Sequence, residues 1–198
     1  MRLHISAASP FARKARVVLR EKGLAGQAEE LTADFPYKDA AYTRINPLGQ
    51  VPALETDDGQ VLFNSPVICA YLDCIGSGPR LLPPEDQDHW RVRRLETLGD
   101  GAMEMTVKQV LESRRPENLR SAEWIGHWRS GLALALDQAE AAAPEPGEVN
   151  LGSISLAVAC TYAGFRLPDL DWAKGRPRLA ALTEALERHL SFQETYPN

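Results

Sequence analysis

Residues 45–54 read INPLGQVPAL, and Pro52 is the residue that decides how they fold. Val51, Ala53 and Leu54 have the apolar character of a chain about to become a buried strand. Proline has no N–H to give to a strand ladder, so it belongs at a sheet edge, a strand start or a bulge. A rigid, donor-free backbone is wanted here more than a regular strand.

Outward from Pro52, the segment PALET, the turn DDG and the segment QVLFN predict a β-hairpin. SPVICAYLDCIG follows as a helix, with Ser65 expected at its cap and Pro66 inside it. Upstream, RLHIS alternates as a short strand. SPFARKARVVLREKG predicts a helix whose Phe11, Ala15, Val18 and Leu19 share one face. Ser9 stands at its N-cap, Pro10 at its first position and Gly23 at its stop. AEELTA predicts a weak strand, and residues 35–46 are irregular. The order is β-α-β, an irregular stretch, then β-β-α, and spacing alone does not give the strand order.

GSGPRLLPPEDQ is rich in glycine and proline and predicts a linker. Beyond it the pattern is helical. Residues 86–114 form a long helix with Trp90, Leu95, Leu98, Ala102, Met105 and Val110 toward a core. Residues 121–142 form another, carrying Trp124, Trp128, Leu132, Leu136 and Ala139. LGSISLAVACTYAGF is apolar nearly all round and predicts a buried central helix. Asn150 or Ser153 could cap it, but no acid stands three residues later, so a loose start is expected. RPRLAALTEALERHL repeats leucine at helical spacing. The expected organisation is an α/β domain over residues 1–78, a linker over 79–86 and an all-helical domain over 87–198.

Composition excludes several function classes. The chain is 44% hydrophobic, enough for a real core. No apolar run approaches the roughly 20 residues of a membrane helix, and the N-terminus carries no apolar signal block. No membrane partner and no leader are therefore expected. A net charge of −5 disfavours nucleic acid as a partner. The run Arg13, Lys14, Arg16, Arg20 and Lys22 alternates with apolar positions and is expected to be the solvated face of a helix. Cys69, Cys74 and Cys160 show no CxxC spacing and the histidines are scattered, so neither a disulfide framework nor a metal site is expected. Reduced cysteines suit a cytoplasmic location.

Ser-Pro occurs at residues 9–10 and 65–66, each where a helix begins. Serine as cap with proline behind it is simply how helices start. A helix start also carries unsatisfied N–H groups and about half a positive charge, which makes it an anion site. Two such starts in one small domain suit a ligand with two negative groups. The residues alone leave capping and anion binding both open.

In this order and spacing, SPFARKARVVLREKG, NPLGQVPALETDDGQVLFNSPVICAYL and the helical half resemble the cytosolic glutathione S-transferase family over essentially the whole chain. The most specific piece is NPLGQVPAL followed by a hairpin and a second Ser-Pro helix, while RPRL and LSFQETYP resemble bacterial members. The resemblance implies a thioredoxin-like N-terminal domain joined to a helical C-terminal domain, usually as a homodimer. Glutathione is implied as co-substrate, with no other cofactor. A cis peptide bond is implied before Pro52, turning the Val51 N–H and C=O outward to pair with the cysteinyl part of glutathione. Ser65 and the helix start behind it are implied to hold the γ-glutamyl carboxylate. The family usually places an acid before this serine to pair with the ligand's amino group. Here Asn64 stands there, an acceptor without charge. Gln50 and Lys38 are implied contacts to the glycyl end. Asp100 matches an acid that in many members reaches across the dimer to the same amino group.

The family activates the glutathione thiol with Tyr, Ser or Cys near the end of the first strand. Ser9 is the match, with Ser6 a second hydroxyl nearby. A free thiol has a pKa of about 8.5 and is mostly protonated at neutral pH. A donating hydroxyl at ~1.5–3 kcal/mol and the helix dipole at ~0.3–1 kcal/mol would lower it by roughly one to three units. The function implied is conjugation of the glutathione thiolate to a small, largely apolar electrophile, with Met103, Met105 and Thr106 as candidate wall residues. The alternative, favoured by Asn64, is a glutathione-binding or regulatory protein of the same fold with little catalysis. A thiol–disulfide oxidoreductase would need a cysteine where Ser9 stands.

Overall fold

The computed structural model describes residues 1–33, 40–85 and 87–197. Two compact units divide the chain: Met1–Leu82 with Leu190–Asn198, and Pro83–His189. The expected boundaries run the helical half to residue 198. Instead the segment from Leu190 belongs to the first unit, a return that residue spacing cannot reveal.

In the first unit β1 (Arg2–Ile5) lies between β2 (Glu29–Thr32) and β3 (Ala53–Glu55), and β4 (Val61–Phe63) follows at the edge. β1 runs parallel to β2 and antiparallel to β3, and β3 runs antiparallel to β4. A parallel pair needs a crossover, which α1 (Pro10–Glu21) supplies. The β3–β4 pair needs only a turn, where Gly59 takes φ +84° and the Thr56 N–H donates to the Gln60 C=O at 2.9 Å. The single turn α2 (Tyr42–Ile45) interrupts the stretch expected to be irregular. α3 (Ser65–Ile75) packs on α1 over a core that includes Leu3, Ala15, Val18, Leu54, Ile68 and Leu72. The arrangement is thioredoxin-like.

The basic run on α1 is not a solvated face. Arg13, Lys14 and Lys22 are buried. Lys22 Nζ lies 3.0 Å from Asp73 Oδ1, with the two side chains 1% and 2% exposed. It also donates to the Pro79 C=O at 2.8 Å, while Asp73 accepts from the N–H groups of Leu81 and Leu82 at 2.9 and 3.1 Å. One buried ion pair thus ties the ends of both helices to the loop that follows them. Arg13 donates to the Phe192 C=O at 3.2 Å and lies 5.4 Å from the ring centroids of Phe192 and Tyr196. Arg16 and Arg20 pair with Glu30 at 2.7 and 2.6 Å. β2 and the returning C-terminal segment, which includes α8 (Leu190–Gln193), cover the face that alternation marks as exposed.

The second unit contains α4 (Gln87–Ser113), α5 (Ala122–Ala141), α6 (Leu151–Arg166) and α7 (Pro177–Glu187). α6 is buried along most of its length, as its nearly unbroken apolar sequence requires. α4 approaches it closely at two glycines. A Cβ on Gly99 would lie 2.6 Å from the Ser155 carbonyl carbon, and one on Gly152 would lie 2.8 Å from Leu95 Cβ.

The start of α6 is not loose. Asn150 Oδ1 accepts from the Ser153 N–H at 2.9 Å, and Ser153 Oγ accepts from the Asn150 N–H at 2.9 Å. The serine hydroxyl does what the acid of a capping box does. Trp90, expected toward the core, is exposed, and so is Trp124, which stacks on Trp128 at 5.7 Å between centroids. Among the described residues no helix is long and apolar enough to cross a membrane, and no group of His, Cys, Asp or Glu is placed to hold a metal ion.

Candidate functional site

Strand register brings the candidate residues of the first unit to one end of its sheet. β1 pairs His4 with Ala53, and β4 pairs Phe63 with Ala53. Pro52 therefore comes just before the paired part of β3 and Asn64 just after that of β4. The chain leaving β1 at the same end runs through Ser6 to Ser9, where α1 begins. α3 begins beside Asn64, so two helix N-termini open together. Neither has an acid in its first turn to cancel its partial positive charge.

Ser9 is the N-cap of α1, half-buried, with extended backbone. Its Oγ accepts from the Ala12 N–H at 3.2 Å. Capping uses a lone pair and leaves the hydroxyl proton, which no hydrogen bond among the described residues takes up.

α3 starts differently. Ser65, the expected cap, is the first residue of the helix, and the cap is Asn64 at φ 70° and ψ 132°. Asn64 is exposed and its side chain makes no capping bond. Ser65 is 0% exposed, and its Oγ is buried without a hydrogen-bond partner among the described residues. Leaving a buried hydroxyl unsatisfied costs about 1–3 kcal/mol, so a polar group brought to it gains more than at a solvated serine.

The Val51–Pro52 peptide bond is cis, Pro52 is buried and Val51 is half-buried. Among the described residues neither the N–H nor the C=O of Val51 makes a hydrogen bond. The carbonyl just before it is held firmly. Gln50 C=O accepts from Tyr42 Oη and from Asn46 Nδ2, each at 2.7 Å. Asn46 Oδ1 in turn accepts from the Leu48 N–H at 3.0 Å. Burial pushes the Tyr42 phenol up to about 12, with the Asn46 hydrogen bond acting the other way, so it stays a donor at physiological pH. Sequence reasoning missed Tyr42 and Asn46. The available signal was the turn dipeptide Asn46-Pro47, inside and just after a stretch read as structureless.

The remaining candidates are less concentrated. Gln50 has an exposed side chain in the same loop. Lys38 lies outside the described residues. Asp100 belongs to the second unit, half-buried on α4 beside Gly99, and its Oδ1 accepts from Ser155 Oγ at 2.7 Å. Met103 and Thr106 are core residues of that unit, and Met105 is half-buried. Arg91 and Arg93 are engaged by Glu148 and Glu96. Cys69 and Cys160 are buried, and burial pushes the Cys160 thiol up to about 12. Cys74 is exposed.

Residues 8–74 match the family model described as glutathione S-transferase, N-terminal domain. The uncharacterized GST-like protein YibF of Escherichia coli K12 is 35% identical over 202 residues, spanning 100% of this chain and 98% of that protein. Maleylacetoacetate isomerase of Pseudomonas aeruginosa is 28% identical over 209 residues, spanning 100% of this chain and 96% of that protein. A glutathione transferase family member from Pseudomonas fluorescens Pf-5, solved with bound glutathione, superposes with a TM-score of 0.95 at 35% identity, covering 100% of this chain and 98% of that one. The chain therefore belongs to the glutathione S-transferase family.

Proposed function

We propose that the protein is a glutathione transferase that joins the glutathione sulfur to a small, largely apolar electrophile. The observation that carries this reading is Ser9, a hydroxyl at the start of α1 whose lone pair serves the Ala12 N–H and whose proton is uncommitted among the described residues. The bound thiol loses its proton to solvent. Ser9 donates a hydrogen bond to the sulfur and the helix start adds its partial positive charge, both favouring the thiolate. The thiolate electron pair forms the new C–S bond, and the leaving group departs with the electrons of the bond it breaks. With an activated double bond as substrate, the same thiolate can add, allow rotation and leave again. That route is an isomerisation and fits the isomerase among the relatives.

In this reading Val51 pairs its N–H and C=O with the cysteinyl part of glutathione beside Pro52. Ser65 and the start of α3 take the γ-glutamyl carboxylate. Asn64 accepts from the amino group, Gln50 and Lys38 serve the glycyl end, and Asp100 acts on the amino group across a homodimer. Support comes from the Pseudomonas fluorescens relative with bound glutathione. A further structure from that organism, with a TM-score of 0.90 at 32% identity, holds S-(propanoic acid)-glutathione, a thioether of the kind conjugation makes. Three cysteines that form no disulfide with one another fit a reducing, cytoplasmic setting.

Asn64 favours a second reading, a glutathione-binding protein with little catalysis, because a neutral amide replaces a charged partner. Calorimetric titration with reduced glutathione, run beside conjugation to a generic aryl halide, separates the two. Binding with turnover that Ser9→Ala largely removes supports the transferase. Binding without turnover supports the second reading. Absence of binding at any practical concentration overturns both.

A further inference from the structure

We infer that Tyr42 and Asn46 are positioning residues that aim the Val51 N–H at glutathione by gripping the Gln50 carbonyl of the same peptide group from behind. The inference rests on the proposed glutathione site and names what sets its geometry.

A trans peptide group is planar, with its C=O and N–H pointing in opposite directions. Gln50 C=O and Val51 N–H belong to one such group, since the cis bond is the next one along. Fixing the carbonyl therefore fixes the N–H. A carbonyl oxygen has two lone pairs, and two donors approach this one, Tyr42 Oη and Asn46 Nδ2, each at 2.7 Å. A single hydrogen bond lets the group pivot about its axis, whereas two from different side chains do not.

Tyr42 is 3% exposed and Asn46 1%, so water does not compete strongly for either donor. The Tyr42 ring meets the His4 ring edge-on at 5.6 Å, and His4 Nε2 lies 2.6 Å from Glu55 Oε1. The grip is thereby referenced to the central strand β1 and its neighbour β3. On the other side of the peptide, the Val51 N–H has no partner among the described residues. The fold aims this donor before any ligand arrives, which reduces the ordering that binding must supply.

Tyr42→Phe removes one donor and keeps the ring. Thr183→Val is the control, because it removes a buried hydroxyl bond, to the Leu179 C=O at 2.8 Å, in the other unit. The readouts are the Kd for reduced glutathione, KM and kcat in conjugation, and the amide resonance of Val51. Tyr42→Phe is expected to raise Kd and KM for glutathione about three- to tenfold, the range of one net hydrogen bond. It should leave kcat at saturating glutathione nearly unchanged and move the Val51 resonance. Thr183→Val should lower the melting temperature and leave these readouts alone. Asn46→Ala should act in the same direction as Tyr42→Phe. A Tyr42→Phe protein that matches a glutathione-binding wild type in Kd and KM overturns the inference and spares the functional reading. A fall in kcat with KM unchanged also overturns it, since aiming a bound ligand is then not the role. A wild type that takes up no glutathione overturns both.

Discussion

The two helix starts of the first unit share the dipeptide Ser-Pro and use it in opposite ways. At α1 the serine is the cap, half-buried, with its oxygen bonded to the Ala12 N–H. At α3 the serine is one residue further in, fully buried, and its hydroxyl has no partner among the described residues. The difference lies one residue upstream. Ser9 has extended backbone, whereas Asn64 holds a positive φ and takes over the cap position without a side-chain bond. A Ser-Pro pair announces that a helix begins, and the backbone of its neighbour decides what the serine does there. One serine carries a capping bond and, in the proposed function, is offered to a thiolate; the other adds no capping bond and, in the same proposal, is offered to a carboxylate.

Five variants break or sharpen this comparison. The largest effect belongs to Ser9→Ala. Loss of a hydrogen bond to a charged sulfur, about 1.5–3 kcal/mol, should lower kcat/KM roughly 10- to 100-fold in the aryl halide assay. Loss of the cap should also remove about 1 kcal/mol of stability, read by chemical denaturation. Ser65→Ala should separate the two properties. It should weaken glutathione binding about tenfold by calorimetry, yet leave the denaturation midpoint unchanged or slightly raised, since it removes an unsatisfied buried hydroxyl. A marked loss of stability in Ser65→Ala would erase the contrast.

Asn64→Gly should raise stability by about 1 kcal/mol, because glycine holds the positive φ without a Cβ penalty. Asn64→Asp should tighten glutathione a few-fold, measured in the same titration, by restoring charge opposite the amino group.

The smallest effect is on pH dependence and concerns what anchors α1. Burial disfavours charge on Glu30, but hydrogen bonds from Arg20 and Arg16 and their positive charges hold its carboxyl below the usual carboxylate range. A lowered folded-state pKa stabilises above the unfolded value of 4.5, and that stabilisation is lost as pH falls through the folded value. Melting curves of wild type and Glu30→Gln should therefore diverge above pH 4.5 and converge in stronger acid.

Much of the fold was legible because its signals are local. Alternation in RLHIS and the DDG turn each act over a few residues, and β1 and the β3–β4 hairpin formed. The unbroken apolar run of α6 required burial wherever its partners lay. Ser9 was legible as a cap for the same reason. Legibility failed where distant parts meet. The basic face of α1 looks solvated until β2 brings Glu30, α3 brings Asp73 and the chain end brings Phe192 and Tyr196. The capping box of α6 was overlooked because Ser153 does an acid's work with a hydroxyl. Tyr42 and Asn46 sat beside a stretch without periodicity, and their role exists only because both reach the carbonyl of Gln50.

By itself the sequence determined the order of elements, the division into an α/β part and a helical part, and a proline where a strand should begin. These follow from periodicity, turn chemistry and the missing N–H of proline, all properties of neighbouring residues. Only the tertiary structure decided the strand order, which cations are buried, which serine caps its helix and which side chains grip the backbone before Val51. Those depend on a backbone angle at Asn64 and on atoms far apart in the chain coming within hydrogen-bond distance, and no local pattern encodes either.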